Sequence, residues 1–250
     1  MKKKINLILI HGLGFNKKIW FFLKKKLKKK YNIYTINLHT PKKKKNFFYI
    51  ELKKYLRKNL FKIKNNSIII GWSIGGILAT LLTLKSKKKI IAIITICSSP
   101  YFIKKKYWPG IKYKKIKKME NDLIKNYSKS IKNFLILQIQ SKNKKKIKKL
   151  QKKIEKYKKP NSKCIKFNIK ILYKIDTRKL IKKIKIPFFR IYGKLDIIVP
   201  KKISYLVDKI LKNKQSIIIK KSNHAPFISN LNIFYKKIKK YINKIKNRNK

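Results

Sequence analysis

Acidic residues are nearly absent from this chain. Seven Asp and Glu stand against 73 Lys and Arg in 250 residues, giving a net charge of +66. Arginine is also scarce, with only Arg57, Arg178, Arg190 and Arg248. Arginine is the side chain best suited to bidentate phosphate and base contacts. Its scarcity argues against a dedicated nucleic-acid reader, and no zinc-finger spacing, aromatic RNA-binding motif or helix-turn-helix signature is present. The two cysteines, Cys97 and Cys164, lie far apart and cannot frame a disulfide-stapled secreted domain. No apolar run approaches the roughly 20 residues that span a bilayer; the longest is Ile90–Cys97. Met1 to Lys4 followed by Ile5–Ile10 has the charge order of a signal peptide. That apolar stretch is short, however, and runs straight into His11-Gly12 with no small-residue cleavage site. A soluble, cytoplasmic protein is expected, with a monomer as the expected state.

Apolar residues are plentiful, at 44% hydrophobic and 12% aromatic, which excludes a disordered basic tail. The lysines are spread along the chain rather than gathered in one stretch. Lys, Ile and Asn have codons that are AT-only or nearly so, and the bias reads as genome composition. The positive field still attracts anions without specificity and makes association salt-sensitive. The length allows one domain.

Short continuous apolar runs at Ile5–Ile10, Ile33–Leu38, Ser67–Ile70, Ile90–Ile96, Ile186–Tyr192 and Ser216–Ile219 read as buried parallel strands. Helical spacing is expected at about 17–30, 47–60, 75–84 and 232–246, with 41–46 as a polar loop. From about Tyr101 to Lys183 the pattern turns to Lys-rich helical periodicity. Alternating strands and helices predict an α/β fold, a mainly parallel sheet covered on both faces. The core is expected at 1–100 and 184–250, with 101–183 as an inserted helical lid within one structural domain.

Gly71-Trp72-Ser73-Ile74-Gly75-Gly76 falls between a predicted strand and a predicted helix, the context of a nucleophile elbow. The turn is so sharp that side chains two residues before and after the nucleophile collide, and Gly71 and Gly75 occupy those places. Only seven glycines are present, and five of them lie here and in His11-Gly12-Leu13-Gly14. That second motif follows the first strand, where such folds draw one backbone donor to an oxyanion; the residue after the nucleophile supplies the other. The candidates are the Leu13 and Ile74 N–H groups. A serine nucleophile needs a base, and the base needs an acid to orient it. Of the three histidines, His11 sits in the turn and His39 in a polar loop, whereas His224 follows the last strand. Of the four aspartates, Asp122, Asp176 and Asp208 fall in helical or lid-like stretches, whereas Asp196 directly follows the strand Ile186–Tyr192. Ser73, Asp196 and His224 are therefore the expected triad. Cys97 is expected to pack as a small apolar residue at a strand end.

These residues resemble the α/β hydrolases, whose chain order Ser, Asp, His they share. More closely, the chain resembles the carboxylesterases of biotin synthesis that remove the methyl group from pimeloyl-acyl-carrier-protein methyl ester. Beyond the elbow, the likeness is carried by Ser98-Ser99-Pro100, Trp108-Pro109-Gly110-Ile111-Lys112, Phe134-Leu135-Ile136-Leu137-Gln138, Pro187 to Gly193, and His224-Ala225-Pro226-Phe227-Ile228-Ser229. The elbow specifies only the superfamily; the segments Trp108 to Lys112 and Phe134 to Gln138 are more particular. The resemblance implies an α/β-hydrolase fold, Ser-His-Asp ester hydrolysis without cofactor or metal, and an acyl-carrier protein as partner. It implies that Phe134, Leu135, Ile136, Leu137 and Gln138 line the acyl pocket. It also implies docking of the acidic carrier by basic lid residues, here Lys129, Lys146 and Lys149.

Three departures from that pattern stand out. Leu13 replaces the tryptophan usual in the His-Gly-Trp-Gly turn, so the pocket wall is expected to lose an aromatic. One or two leading edge strands are expected to be missing. His39-Thr40-Pro41-Lys42 replaces a Gly-containing loop. Together they point to a looser site or a decaying gene product. The competing functions are a broad short-chain esterase or thioesterase, and a dead scaffold that binds nucleic acid. Transferase or haloperoxidase chemistry also remains open, because a fold does not fix a function.

Overall fold

The computed structural model describes residues 4–38, 47–86, 89–139, 144–157, 159–213 and 215–248. The expected loop around His39 and Pro41 lies outside the described residues.

The apolar runs form six parallel strands: β1 (Asn6–Ile10), β2 (Asn32–Ile36), β3 (Ser67–Trp72), β4 (Ile90–Ile96), β5 (Phe188–Gly193) and β6 (Ser216–Ile219). Their spatial order is β2-β1-β3-β4-β5-β6. β3 and β5 are buried at every position and β4 at all but one, which is why they read as unbroken apolar runs rather than alternating ones. Order along the chain reverses between β1 and β3, so the carboxyl ends of these neighbours splay their loops apart. Such a switch point is where open α/β sheets bind ligands.

Between the strands run α1 (Phe21–Leu27), α2 (Phe48–Leu60) and α3 (Ile74–Lys85). After β4 come α4 (Tyr113–Lys125), α5 (Tyr127–Ile139), α6 (Lys144–Glu155) and α7 (Ser162–Lys174). The chain ends with α8 (Lys202–Leu211), the short α9 (Pro226–Ser229) and α10 (Leu231–Arg248). α3 is buried on most faces, as its apolar and small residues foretell. α6 buries Leu150 and Ile154 while Lys145, Lys148, Lys149 and Lys152 stay in solvent, the narrow stripe of a surface helix.

Two segments differ from the sequence reading. The expected helix at about 17–30 is a 3-10 turn, Lys17–Trp20, followed by the shorter α1. Tyr101 to Ile111 is not helical: isolated bridges join Ile103 to Ile111 and Lys105 to Trp108. Gly110 packs against the Phe102 carbonyl there, where a Cβ would have no room. That close approach is invisible to hydrophobic periodicity. Among the described residues, no helix is long and apolar enough to cross a membrane.

Candidate active site

Ser73 stands between β3 and α3 with φ 55° and ψ −124°, a backbone that an L-residue holds only under constraint. The constraints are visible. Ser73 N–H donates to the Ile96 carbonyl at 2.9 Å, and the Ser73 carbonyl accepts from Gly76 N–H at 2.8 Å and from Ser98 Oγ at 2.7 Å. A Cβ on Gly71 would overlap the Gly75 carbonyl. A Cβ on Gly75 would instead overlap the Ile10 carbonyl of β1. The first glycine is thus required by the turn itself and the second by the strand beside it.

Asp196, in the turn after β5, is 4% exposed. Its Oδ1 accepts from the Ile198 and Val199 N–H groups, each at 2.9 Å. Its Oδ2 lies 2.7 Å from His224 Nδ1. The backbone donors hold the carboxylate and leave one oxygen aimed at the imidazole, which points Nε2 as the free basic nitrogen. Asp122, Asp176 and Asp208 are engaged elsewhere, with Lys118, Arg178 and Arg190. The loop carrying His224 is fixed by Trp72, whose Nε1 donates to the His224 carbonyl at 2.7 Å and whose ring centroid lies 5.6 Å from the imidazole.

Ser73 and His224 line one narrow pocket with Gly12, Leu13 and Phe134. Although Leu13 replaces an expected tryptophan, Phe15, Trp72, Phe102 and Phe134 still supply aromatic wall. Among the described residues, the Leu13 and Ile74 N–H groups make no hydrogen bond within the protein, so both are available as donors. An adjoining cleft of about 600 Å³ shares Ile111, Met119, Phe134, Ile198 and His224 with the pocket. Its walls add Ile136 and Leu137, and Lys115 and Lys118 with Asp122 bring charge to it.

The remaining expected residues divide. Phe134 and Leu137 lie three apart and so share a helix face, and both reach the cleft. Leu135 points into the core with Ile131 and belongs to neither lining. The side chains of Gln138 and Lys146 lie outside the described residues. Lys129 at the start of α5 and Lys149 on α6 are exposed.

His11 does not join the triad. It is buried, with Nδ1 2.9 Å from the Gly12 carbonyl and Nε2 accepting from Leu38 N–H at 3.2 Å. Burial pulls its pKa down to about 4, so it is a neutral strut for the turn. Cys97 lies closer to the chemistry than its apolar reading suggests. Its Sγ falls within 4.8 Å of ligand-type atoms of Asp196 and His224. Burial, reinforced by the Asp196 charge, pushes the thiol well above its usual range. A neutral thiol beside a carboxylate already holding three donors does not suit a metal ion. Trp72, Ser98 and Cys97 escaped sequence reasoning as parts of the site, because their roles rest on partners brought in from distant strands.

The alpha/beta hydrolase fold family matches this chain over residues 5–231, and the chain belongs to that family. A protein of Wigglesworthia glossinidia brevipalpis named pimeloyl-acyl-carrier protein methyl ester esterase is 37% identical over 246 residues, covering 96% of this chain and 94% of that one. Among solved structures, an esterase from Exiguobacterium antarcticum superposes with a TM-score of 0.82 at 16% identity, covering 97% of this chain and 93% of that one. A bromoperoxidase from Bacillus anthracis superposes with a TM-score of 0.81 at 18% identity, covering 96% and 92%. These two likenesses speak for the fold alone, and the two differ in chemistry.

Proposed function

We propose that this chain is a serine carboxylesterase that hydrolyses the methyl ester of pimeloyl-acyl-carrier protein to pimeloyl-acyl-carrier protein and methanol. The observation that carries the chemistry is the buried Asp196–His224 pair at 2.7 Å, opening on a pocket shared with Ser73 at its strained turn. The choice of substrate rests on the 37% identical relative named for it.

Ser73 Oγ attacks the ester carbonyl as His224 Nε2 takes its proton, and Asp196 stabilises the imidazolium. The Leu13 and Ile74 N–H groups receive the oxyanion, each worth about 3 kcal/mol in the transition state. Collapse breaks the carbonyl–methoxy bond, and His224 returns the proton to the leaving methanol. Water then attacks the acyl-enzyme, His224 takes its proton, and Ser73 leaves with that proton as the free carboxyl forms. Every proton moves through Ser73, His224 and water, so no metal or organic cofactor enters a step.

In this reading α4–α7, within 101–183, form a lid whose cleft takes the acyl chain against Phe134, Ile136, Leu137 and Gln138. Lys129, Lys146 and Lys149 face the acidic carrier, and a carrier-bound substrate puts the enzyme in the cytoplasm. The test is release of methanol from pimeloyl-carrier-protein methyl ester by wild type and by Ser73→Ala. Turnover by wild type that vanishes in the variant supports the reading. A folded wild type that hydrolyses p-nitrophenyl butyrate but not the carrier-bound ester sinks the substrate and leaves a broad esterase.

A further inference from the structure

Helix α5, which carries the expected acyl-pocket residues, is fastened to the sheet side of the site at both ends. At its start, Tyr127 Oη donates to the Gly14 carbonyl at 2.9 Å. Gly14 closes the His11–Gly14 turn, so this bond holds α5 against the loop that offers the Leu13 N–H. At its end, Asn223 Nδ2 donates to the Leu137 carbonyl at 3.0 Å. Leu137 lies in the last described turn of α5. Asn223 thus ties this last described turn to the loop of the base, being the residue directly before His224.

Both donors are buried, Tyr127 at 4% and Asn223 at 6% exposed. The Tyr127 hydroxyl stays protonated across the working range because burial raises it to about 12. Asn223 Oδ1 is buried with no hydrogen-bond partner among the described residues, so the amide is oriented by its N–H side. The Asn223 carbonyl, in turn, accepts from Ser222 Oγ at 3.2 Å and from Cys97 Sγ at 3.7 Å. Between the two fastenings, Phe134 and Leu137 face the cleft. A chain filling that cleft presses on a helix bonded to the oxyanion turn at one end and to the loop of the base at the other.

We propose that Tyr127 and Asn223 are positioning residues that clamp α5 between the oxyanion turn and the His224 loop, coupling occupancy of the acyl cleft to alignment of the catalytic groups. The coupling rests on the ester-hydrolase reading above; the clamp itself rests on the two hydrogen bonds. A short acyl group that leaves the cleft empty gains little from the clamp, and a long one gains more.

The experiment compares wild type, Tyr127→Phe, Asn223→Ala and the double variant on p-nitrophenyl acetate, butyrate and octanoate, with a melting curve for each. For each single variant, kcat/KM is expected to fall about tenfold on octanoate and about twofold on acetate. Both residues act through one helix, so the double variant should lose less than the product of the singles. Asn223→Asp keeps the shape but removes the donor, and should follow Asn223→Ala. Equal losses on all three esters, or full activity on octanoate, would overturn the proposal. Tyr127→Phe removes one hydroxyl and keeps the packing, so it stays informative should Asn223→Ala melt early. A wild type inactive on every ester would instead refute the hydrolase reading. Hydrogen exchange then tests the clamp alone: faster exchange of α5 amides in both variants supports it, and unchanged exchange refutes it.

Discussion

The sheet core and the helical segment between β4 and β5 use their aspartates in opposite ways. In the core, Asp196 is buried against two backbone N–H groups and His224. Asp208 likewise meets the fully buried Arg190, which also bonds Asn213 and Ser216. In the helical segment, Asp122 pairs with Lys118 at 3.1 Å with both side chains largely in water, and Asp176 lies beside Arg178 at the exit of α7. A buried carboxylate stripped of a partner is costly, whereas an exposed pair contributes about 0–1 kcal/mol. In a chain with 73 cations, an exposed acid readily finds a positive neighbour. Asp196 and Asp208 are held by partners far along the chain, His224 and Arg190, whereas Asp122 and Asp176 meet cations within four residues of themselves.

The sharpest way to break that contrast is Asp196→Asn. The shape survives, the orienting charge does not, and kcat is expected to fall about 10⁴-fold with a nearly unchanged melting temperature. A loss below tenfold, measured on p-nitrophenyl butyrate, would put Asp196 among the ordinary surface pairs.

The second effect is a pH dependence built into the core. His11 takes a proton in the unfolded chain near 6.5 but resists it in the folded protein until about 4. Its folded pKa is depressed by burial, so stability is full above 6.5, declines as pH falls toward 4, and levels off below that. At about 1.4 kcal/mol per unit, the decline amounts to about 3 kcal/mol. Denaturant titrations of wild type and His11→Gln between pH 7 and 4 measure it: the gap between the two should narrow as pH falls. Parallel curves would show that His11 is not the group responsible.

The smallest effect belongs to the helical segment. Lys118→Ala removes an exposed i,i+4 pair and should shift stability by no more than about 0.5 kcal/mol. A loss above 1 kcal/mol by chemical denaturation would mean that the segment depends on specific ion pairs after all.

Much of this was legible along the chain. The continuous apolar runs announced the six strands. Gly71 and Gly75 on either side of Ser73 announced the turn, because a sharp backbone leaves glycine as the residue that fits. Asp196 and His224 were legible from their positions after β5 and β6. Harder to read were Leu135, whose helical phase turns it to the core, and the Tyr101–Ile111 segment, whose shape depends on Gly110 packing against a distant backbone.

What the sequence determined by itself was local. Apolar runs, helical periods and the glycines of two tight turns each express a demand that neighbouring residues impose on one another. Tertiary structure alone decided which distant groups meet. Trp72 holds the His224 carbonyl, Ser98 holds the Ser73 carbonyl, and Tyr127 and Asn223 fasten the two ends of α5. Hydrogen bonds reach only about 3 Å, so each of these depends on how the sheet brings its carboxyl-end loops together, a matter on which the local sequence is silent.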